Sequence, residues 1–301
     1  RKKAENVITT MKGNRFLKRA RLATIVMTLI VGLGVTSSNG ATAGERLFPV
    51  DLPGKEWRVF RADGFSSSVW GVIYRNGEAQ PGVPLGGIGT GWIDLDTTGK
   101  FGSYTVFNQW YPPRKVDLPF LGLAVGERTW LLTTDQVSGV DSASKIYYWG
   151  HYPVADVEYD TTAPVQVGLR AWSPFIPGDA ERSNIPAAVF EVHLRNPGSE
   201  PQHGRLALSV PGWTEQYPGE KWRVKRLEVS GPFSGLAVNK GNERGYAVGV
   251  IGPERPQTGA ELTDGKAWAA MGKGLPPSPN SYQSGSSVAV DFDLPPKGSK
   301  T

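Results

Sequence analysis

The 301-residue chain has no cysteine and only three histidines, His151, His193 and His203. Without thiols there are no disulfide staples, no thiol nucleophile, no cysteine-ligated zinc and no lipid-modified cysteine anchor. Three scattered histidines do not make a multi-histidine site, so the expectation is no metal and no cofactor. After residue 44 no run of ten or more residues carries an apolar stripe at helical spacing, which argues against a helical core. G-x-S-x-G is missing too, and the serine-rich stretches 66–68 and 284–287 have no histidine at a telling distance.

Basic charge is scarce where it would matter. The whole chain is +5, but residues 1–44 hold eight Lys/Arg and one Glu. Taking their +7 from +5 leaves −2 for residues 45–301. A mature surface of that sign offers no clustered cations for phosphates, so nucleic acid is excluded as a partner.

The basic segment itself reads as a leader. The first methionine is Met11, and Lys12, Arg15, Lys18, Arg19 and Arg21 precede an apolar stretch from Leu22 to Val35. Ala41-Thr42-Ala43 then supplies a small-residue cleavage site before Gly44. The apolar stretch is shorter than the roughly 20 residues a membrane-spanning helix needs, which disfavours an anchor. The expected layout is an upstream extension over residues 1–10, a cleaved signal peptide over 11–43, and one domain over 45–301. That layout implies a secreted or periplasmic protein.

Glycine, proline and aromatics are plentiful: 38 Gly, 24 Pro, 10 Trp, 10 Tyr and 11 Phe. They point to short strands and tight turns. Period-two alternation appears in Ala188, Phe190, Val192 and Leu194, in Leu206, Leu208 and Val210, in Val165, Val167 and Leu169, and in Val288, Val290, Phe292 and Leu294. Asn196-Pro197-Gly198, Pro211-Gly212, Ser230-Gly231-Pro232 and Gly252-Pro253 separate such runs. Half-buried strands with hairpin turns predict an all-β, two-sheet antiparallel β-sandwich. The turn Pro295-Pro296-Lys297-Gly298-Ser299 after the last run predicts a further strand, and hence a chain that continues past Thr301.

Three segments are candidates for chemistry. Gly86, Gly87, Gly89 and Gly91 lie in Pro84-Leu85-Gly86-Gly87-Ile88-Gly89-Thr90-Gly91. The spacing G-x-G-x-G is not that of a dinucleotide or phosphate loop, so close backbone packing or a loop facing another domain is the better reading. Asp94 and Asp96, two apart, would face the same way on a strand. Paired carboxylates serve glycoside hydrolysis, but neighbouring strand carboxylates more often serve a turn or a solvated face. Trp110, Tyr148, Trp149 and His151 belong to two aromatic clusters that would stack on sugar rings if exposed, or fill a core or domain interface if not.

Two segments resemble glycoside hydrolase family 116, the group of non-lysosomal glucosylceramidase and microbial β-glucosidases. They are Gly82-Val83-Pro84-Leu85-Gly86-Gly87-Ile88-Gly89-Thr90-Gly91, and Arg170-Ala171-Trp172-Ser173-Pro174-Phe175-Ile176-Pro177 followed by Ser183-Asn184-Ile185-Pro186-Ala187-Ala188-Val189-Phe190. The likeness runs over about residues 68–300 and is to the family's N-terminal domain. It implies a β-sandwich joined to a C-terminal α/α toroid that holds a Glu nucleophile and an Asp acid/base for retaining cleavage of β-glucosides. Neither catalytic position has a counterpart in this sequence, so no residue here takes a catalytic role and the fragment alone is expected to be inactive. The implied partners are the chain's own catalytic domain and a β-glucoside or glucosylated lipid. The competing expectation is a free-standing carbohydrate-binding module.

Overall fold

Alternation in the sequence becomes strand after strand in the computed structural model. It describes residues 24–30, 56–60, 69–75, 81–106, 113–212, 223–240, 244–277 and 284–301, the first three stretches as backbone only. β1 (Thr24–Ile30), β2 (Glu56–Phe60) and β3 (Val69–Arg75) precede β4 (Val83–Leu85), β5 (Trp92–Leu95), β6 (Lys100–Thr105) and β7 (Arg114–Pro119). Next come β8 (Leu121–Val125), β9 (Arg128–Leu131), β10 (Asp141–Ser142), β11 (Lys145–His151), β12 (Val154–Asp160) and β13 (Gln166–Trp172). One helical turn, α1 (Ala180–Ser183), leads into β14 (Ala187–Arg195) and β15 (Gln202–Val210). β16 (Val224–Val229), β17 (Phe233–Lys240), β18 (Arg244–Ile251) and β19 (Gln257–Ala260) are followed by α2 (Gly265–Ala270), β20 (Ser286–Leu294) and β21 (Ser299–Lys300).

The fold is all-β, as the periodicity predicts, and its strands sort into three sheets. The largest runs β16-β17-β18-β1-β14-β13-β12-β11-β3-β2, with β21 also pairing β14. A six-stranded sheet runs β10-β9-β8-β15-β20-β19, and a small one runs β4-β5-β6-β7. Pairing is antiparallel except where β1 joins β14 and β18, and where β10 joins β9. The apolar stretch that reads as the heart of a leader therefore supplies one strand of the largest sheet.

All three sheets share one core. Phe101 on β6 stacks on Phe120 at 4.1 Å between ring centroids, and Phe120 meets Phe190 of β14 at 5.4 Å. The sets named from alternation are all buried here: Phe190, Val192 and Leu194 from one sheet, Leu206, Leu208, Val290 and Phe292 from another. Removing each such side chain from water stabilises the fold by roughly 1.5–3 kcal/mol. The outer face of the six-stranded sheet is covered by α2, whose Trp268 buries against Leu131, Ala207 and Ala289. Asp264 caps that helix, accepting a 2.8 Å hydrogen bond from the Ala267 amide. The outer face of the largest sheet has no such helix among the described residues.

Candidate functional site

The outer face of that sheet carries an ordered row of polar and aromatic side chains. In the antiparallel run β11–β14, Trp149 stands opposite Asp156, Asp156 opposite Arg170, and Arg170 opposite Glu191. Directly opposed residues share a face, so these four form one line across four strands. Two residues along each strand, His151, Val154 and Trp172 form the neighbouring line. The Arg170 guanidinium grips Asp156 with Nε and an Nη at 2.7 and 3.0 Å. His151 Nε2 lies 3.6 Å from the same carboxylate, and the Trp172 indole N–H donates to Glu191 at 2.9 Å. The Trp149 and His151 rings lie 5.4 Å apart.

The charges in this row are arranged for rigidity. Asp156 is almost fully buried, and burial alone would raise its pKa. The nearby His151 and the hydrogen-bonded Arg170 outweigh that and hold the carboxyl below its ordinary value. It stays ionised at neutral pH and cannot deliver a proton. Burial pushes His193 down, favouring neutral imidazole, and its Nδ1 is 2.9 Å from the Thr301 hydroxyl. A forked ion pair flanked by tryptophans suits recognition or docking, not proton transfer.

The glycine segment lies at one end of this face. The Gly86 amide donates to Ser173 Oγ at 2.6 Å, and the Ile88 amide donates to the Ser183 carbonyl at the end of α1 at 2.8 Å. A Cβ on Gly87 would sit 2.7 Å from the Ile185 carbonyl oxygen, and one on Gly91, at φ +98°, would sit 2.1 Å from that of Thr105. Both positions need glycine so that backbone can approach backbone, as the spacing predicts. Ser183 Oγ in turn bridges the amide and carbonyl of Ile176. Beside Ile176 stands Phe175, in edge-to-face contact with Tyr152 at 5.6 Å. Ile88, Tyr152 and Phe175 are three of the four large apolar side chains left exposed among the described residues. Ser183 ties the Ile88 loop to the Ile176 backbone, next to the Tyr152–Phe175 pair.

The residues singled out from sequence thus part company. Trp149 and His151 lie on the outer face, and Gly86, Gly87, Gly89 and Gly91 form the loop at its rim. Trp110 lies outside the described residues. Tyr148 lies in the core, one of the places open to its cluster: alternation along β11 turns it away from Trp149. Its hydroxyl donates to the Leu95 carbonyl at 2.9 Å and accepts from the Val83 amide at 2.8 Å. Asp94 accepts the Gly102 and Ser103 amides beside a β-bulge, and Asp96 accepts the Thr98 and Lys100 amides in a turn. Both aspartates serve the backbone. Sequence reasoning missed Asp156, Arg170, Trp172 and Glu191 as a unit, because only cross-strand register brings them together.

A separate cavity of about 240 Å³ is lined by Leu118, Leu131, Asp135, Glu261 and Trp268. Burial pushes Glu261 up to about 7, the range of a general acid. The other carboxylates around it are committed: Asp117 and Asp135 each lie 2.5 Å from Lys100 Nζ, and Asp264 caps α2. The paired carboxylates of glycoside hydrolysis are not assembled there. Among the described residues no group of three or more His, Asp or Glu side chains is placed to hold a metal ion.

One family model, described as "beta-glucosidase 2, glycosyl-hydrolase family 116 N-term", matches residues 82–301. No curated protein matches the chain.

Proposed function

From its membership of glycosyl-hydrolase family 116, as that family's N-terminal domain, we propose that this chain is the non-catalytic partner domain of an exported β-glucosidase or glucosylceramidase-like enzyme. Cleavage of the β-glucoside or glucosylated lipid then belongs to a C-terminal catalytic domain of the same protein. The largest sheet serves as the platform on which that domain is seated. One observation carries the reading: Ile88, Tyr152 and Phe175 are exposed in the loops beside the end of β13, the strand that carries Arg170 and Trp172 of the row. Exposed apolar side chains flanked by polar groups are the usual make-up of a docking surface. The aspartates support the same division of labour: Asp94 and Asp96 are bound to backbone amides, Asp117 and Asp135 to Lys100, and Asp156 to Arg170.

The test uses the enzyme encoded by the full reading frame, secreted and assayed on an aryl β-glucoside. Ile88→Ser with Phe175→Ser is expected to lower kcat or the thermal midpoint of the whole enzyme, while residues 45–301 alone give no turnover. Turnover by residues 45–301 alone would overturn the proposal. Binding of those residues to a glycan resin, lost on Trp149→Ala, would favour the carbohydrate-binding module instead.

A further inference from the structure

Glu261 brings a carboxylate to a cavity and finds no hydrogen-bond partner among the described residues. The cavity, of about 240 Å³, lies where the small sheet meets the six-stranded one, between β7, the β9–β10 connection and the link from β19 to α2. Leu118, Leu131, Val137, Leu262 and Trp268 give it apolar walls. Drug-sized ligand sites begin at roughly 300 Å³, so a cavity somewhat smaller suits a molecule with one small ring or a short chain. The other acids on the lining are engaged. Asp117 and Asp135 pair with Lys100, Asp117 also lies 3.2 Å from Lys115 Nζ, and Asp264 accepts the Ala267 amide. Ser209 Oγ is taken by the Leu262 amide at 2.9 Å. Glu261 is thus the one acid on this lining left to a ligand, and burial, with nothing opposing it, pushes its carboxyl up to about 7. Gly285 leaves the carboxylate its space, since a Cβ there would stand 1.9 Å from Oε2.

We propose that this cavity binds a small organic cation, an ammonium group on an apolar body, with the ammonium paired to Glu261. The site is separate from the docking role of the largest sheet and does not depend on it. Three features select the ligand. An ionised carboxylate in an apolar wall is costly unless a donor reaches it, and an ammonium supplies both the opposite charge and the N–H groups. No lysine, arginine or histidine is among the described residues that line the cavity, so an anion finds no counter-charge. The walls accept a hydrocarbon body, whereas a metal ion would need several free oxygen ligands, and the described residues offer no group of three acids or histidines to hold one. The groups behind Glu261 keep their charge while it titrates. Arg226 of β16 donates to the Gly285 carbonyl at 3.4 Å, and the Tyr246 hydroxyl of β18 donates to the Ser284 carbonyl. Arginine stays cationic, and burial pushes the Tyr246 hydroxyl above its ordinary value.

Isothermal titration calorimetry of the 301-residue chain tests the assignment, with benzylammonium and butylammonium chloride as probes and benzyl alcohol and butanol as their neutral counterparts. At least one ammonium is expected to bind at about pH 8. Its affinity should fall by up to about tenfold per pH unit below about pH 7, because Glu261 must then lose a proton to pair with it. At about pH 6 binding should release most of one proton, read as a heat that changes with the ionisation enthalpy of the buffer. Glu261→Gln keeps the shape of the side chain and removes its charge. It is expected to weaken the ammonium at about pH 8 by roughly ten- to a hundredfold and to abolish the pH slope, while leaving the alcohols unaffected. Leu118→Trp, at the exposed edge of the cavity, narrows the site and should weaken the ammonium in a chain that keeps Glu261. No binding of either ammonium, binding no tighter than that of its alcohol, or an affinity that Glu261→Gln leaves intact each overturns the site. Binding that Leu118→Trp leaves unchanged puts the ammonium elsewhere and overturns it as well.

Discussion

Glu261→Gln is expected to stabilise the protein at neutral and alkaline pH and to do almost nothing in acid. Glu261 follows β19 and lines the cavity beside Leu118, Leu131 and Trp268. Burial raises its pKa from the ordinary 4.5 to about 7. The unfolded chain gives up this proton near 4.5, while the folded chain keeps it until about 7. Between those values the unfolded state binds fewer protons, so stability falls as pH rises through the window and the loss is complete above it. The shift corresponds to about 3 kcal/mol at 1.36 kcal/mol per pKa unit. Residual contact with water reduces this to roughly 1–3 kcal/mol. Glutamine has nearly the same shape and never ionises, so the variant escapes the penalty. Urea unfolding at about pH 4 and about pH 8 measures both ends of the window. The reasoning is refuted if the gap between wild type and variant is the same at both, or if the wild type is the more stable at the alkaline end.

Two further substitutions probe the sheet from its two sides. Asp156→Asn removes the charge gripped by Arg170 and should cost about 1–3 kcal/mol near neutrality, discounted from a fully buried pair because the arginine is partly solvated. Since the folded carboxyl titrates below its ordinary range, its contribution is complete above that range and is lost as pH falls through the folded pKa. Urea unfolding should therefore show the gap closing in acid, and a gap that widens there would contradict the assignment. Tyr148→Phe deletes a hydroxyl that satisfies both the Val83 amide and the Leu95 carbonyl. A loss of about 1–3 kcal/mol is expected in the same assay, without any change in glycan binding.

The core side of the fold was legible because it is written in local alternation. Ala188, Phe190, Val192 and Leu194 announce a buried face whatever strand they meet, and so do Val288, Val290, Phe292 and Leu294. The family likeness was legible for a related reason, since Gly87 and Gly91 sit where no larger residue fits and so leave a local mark. The division of strands among three sheets was not legible, because pairing partners such as β8 and β15 lie far apart in sequence and no local signal names them. The candidate site suffered most. Asp156, Arg170 and Glu191 each look like an ordinary polar residue on the solvent side of a strand, and only the register of β12, β13 and β14 makes them a row. At Tyr148 the aromatic run alone leaves a sugar-facing surface and a core both open, and period two along β11 sends the ring inward.

The same contrast bears on whether this domain stands alone. A carbohydrate-binding module must complete its own sheets before it can present a flat face to a sugar. Here the position between β14 and β18 is filled by β1, from the stretch that reads as a leader, and β21 points into that position from the other end. β14 therefore carries both that strand and one end of the row from Trp149 to Glu191. Loss of β1 should loosen the hydrogen exchange of β14 and β18 before it reaches β12, which keeps β11 and β13 on its two sides.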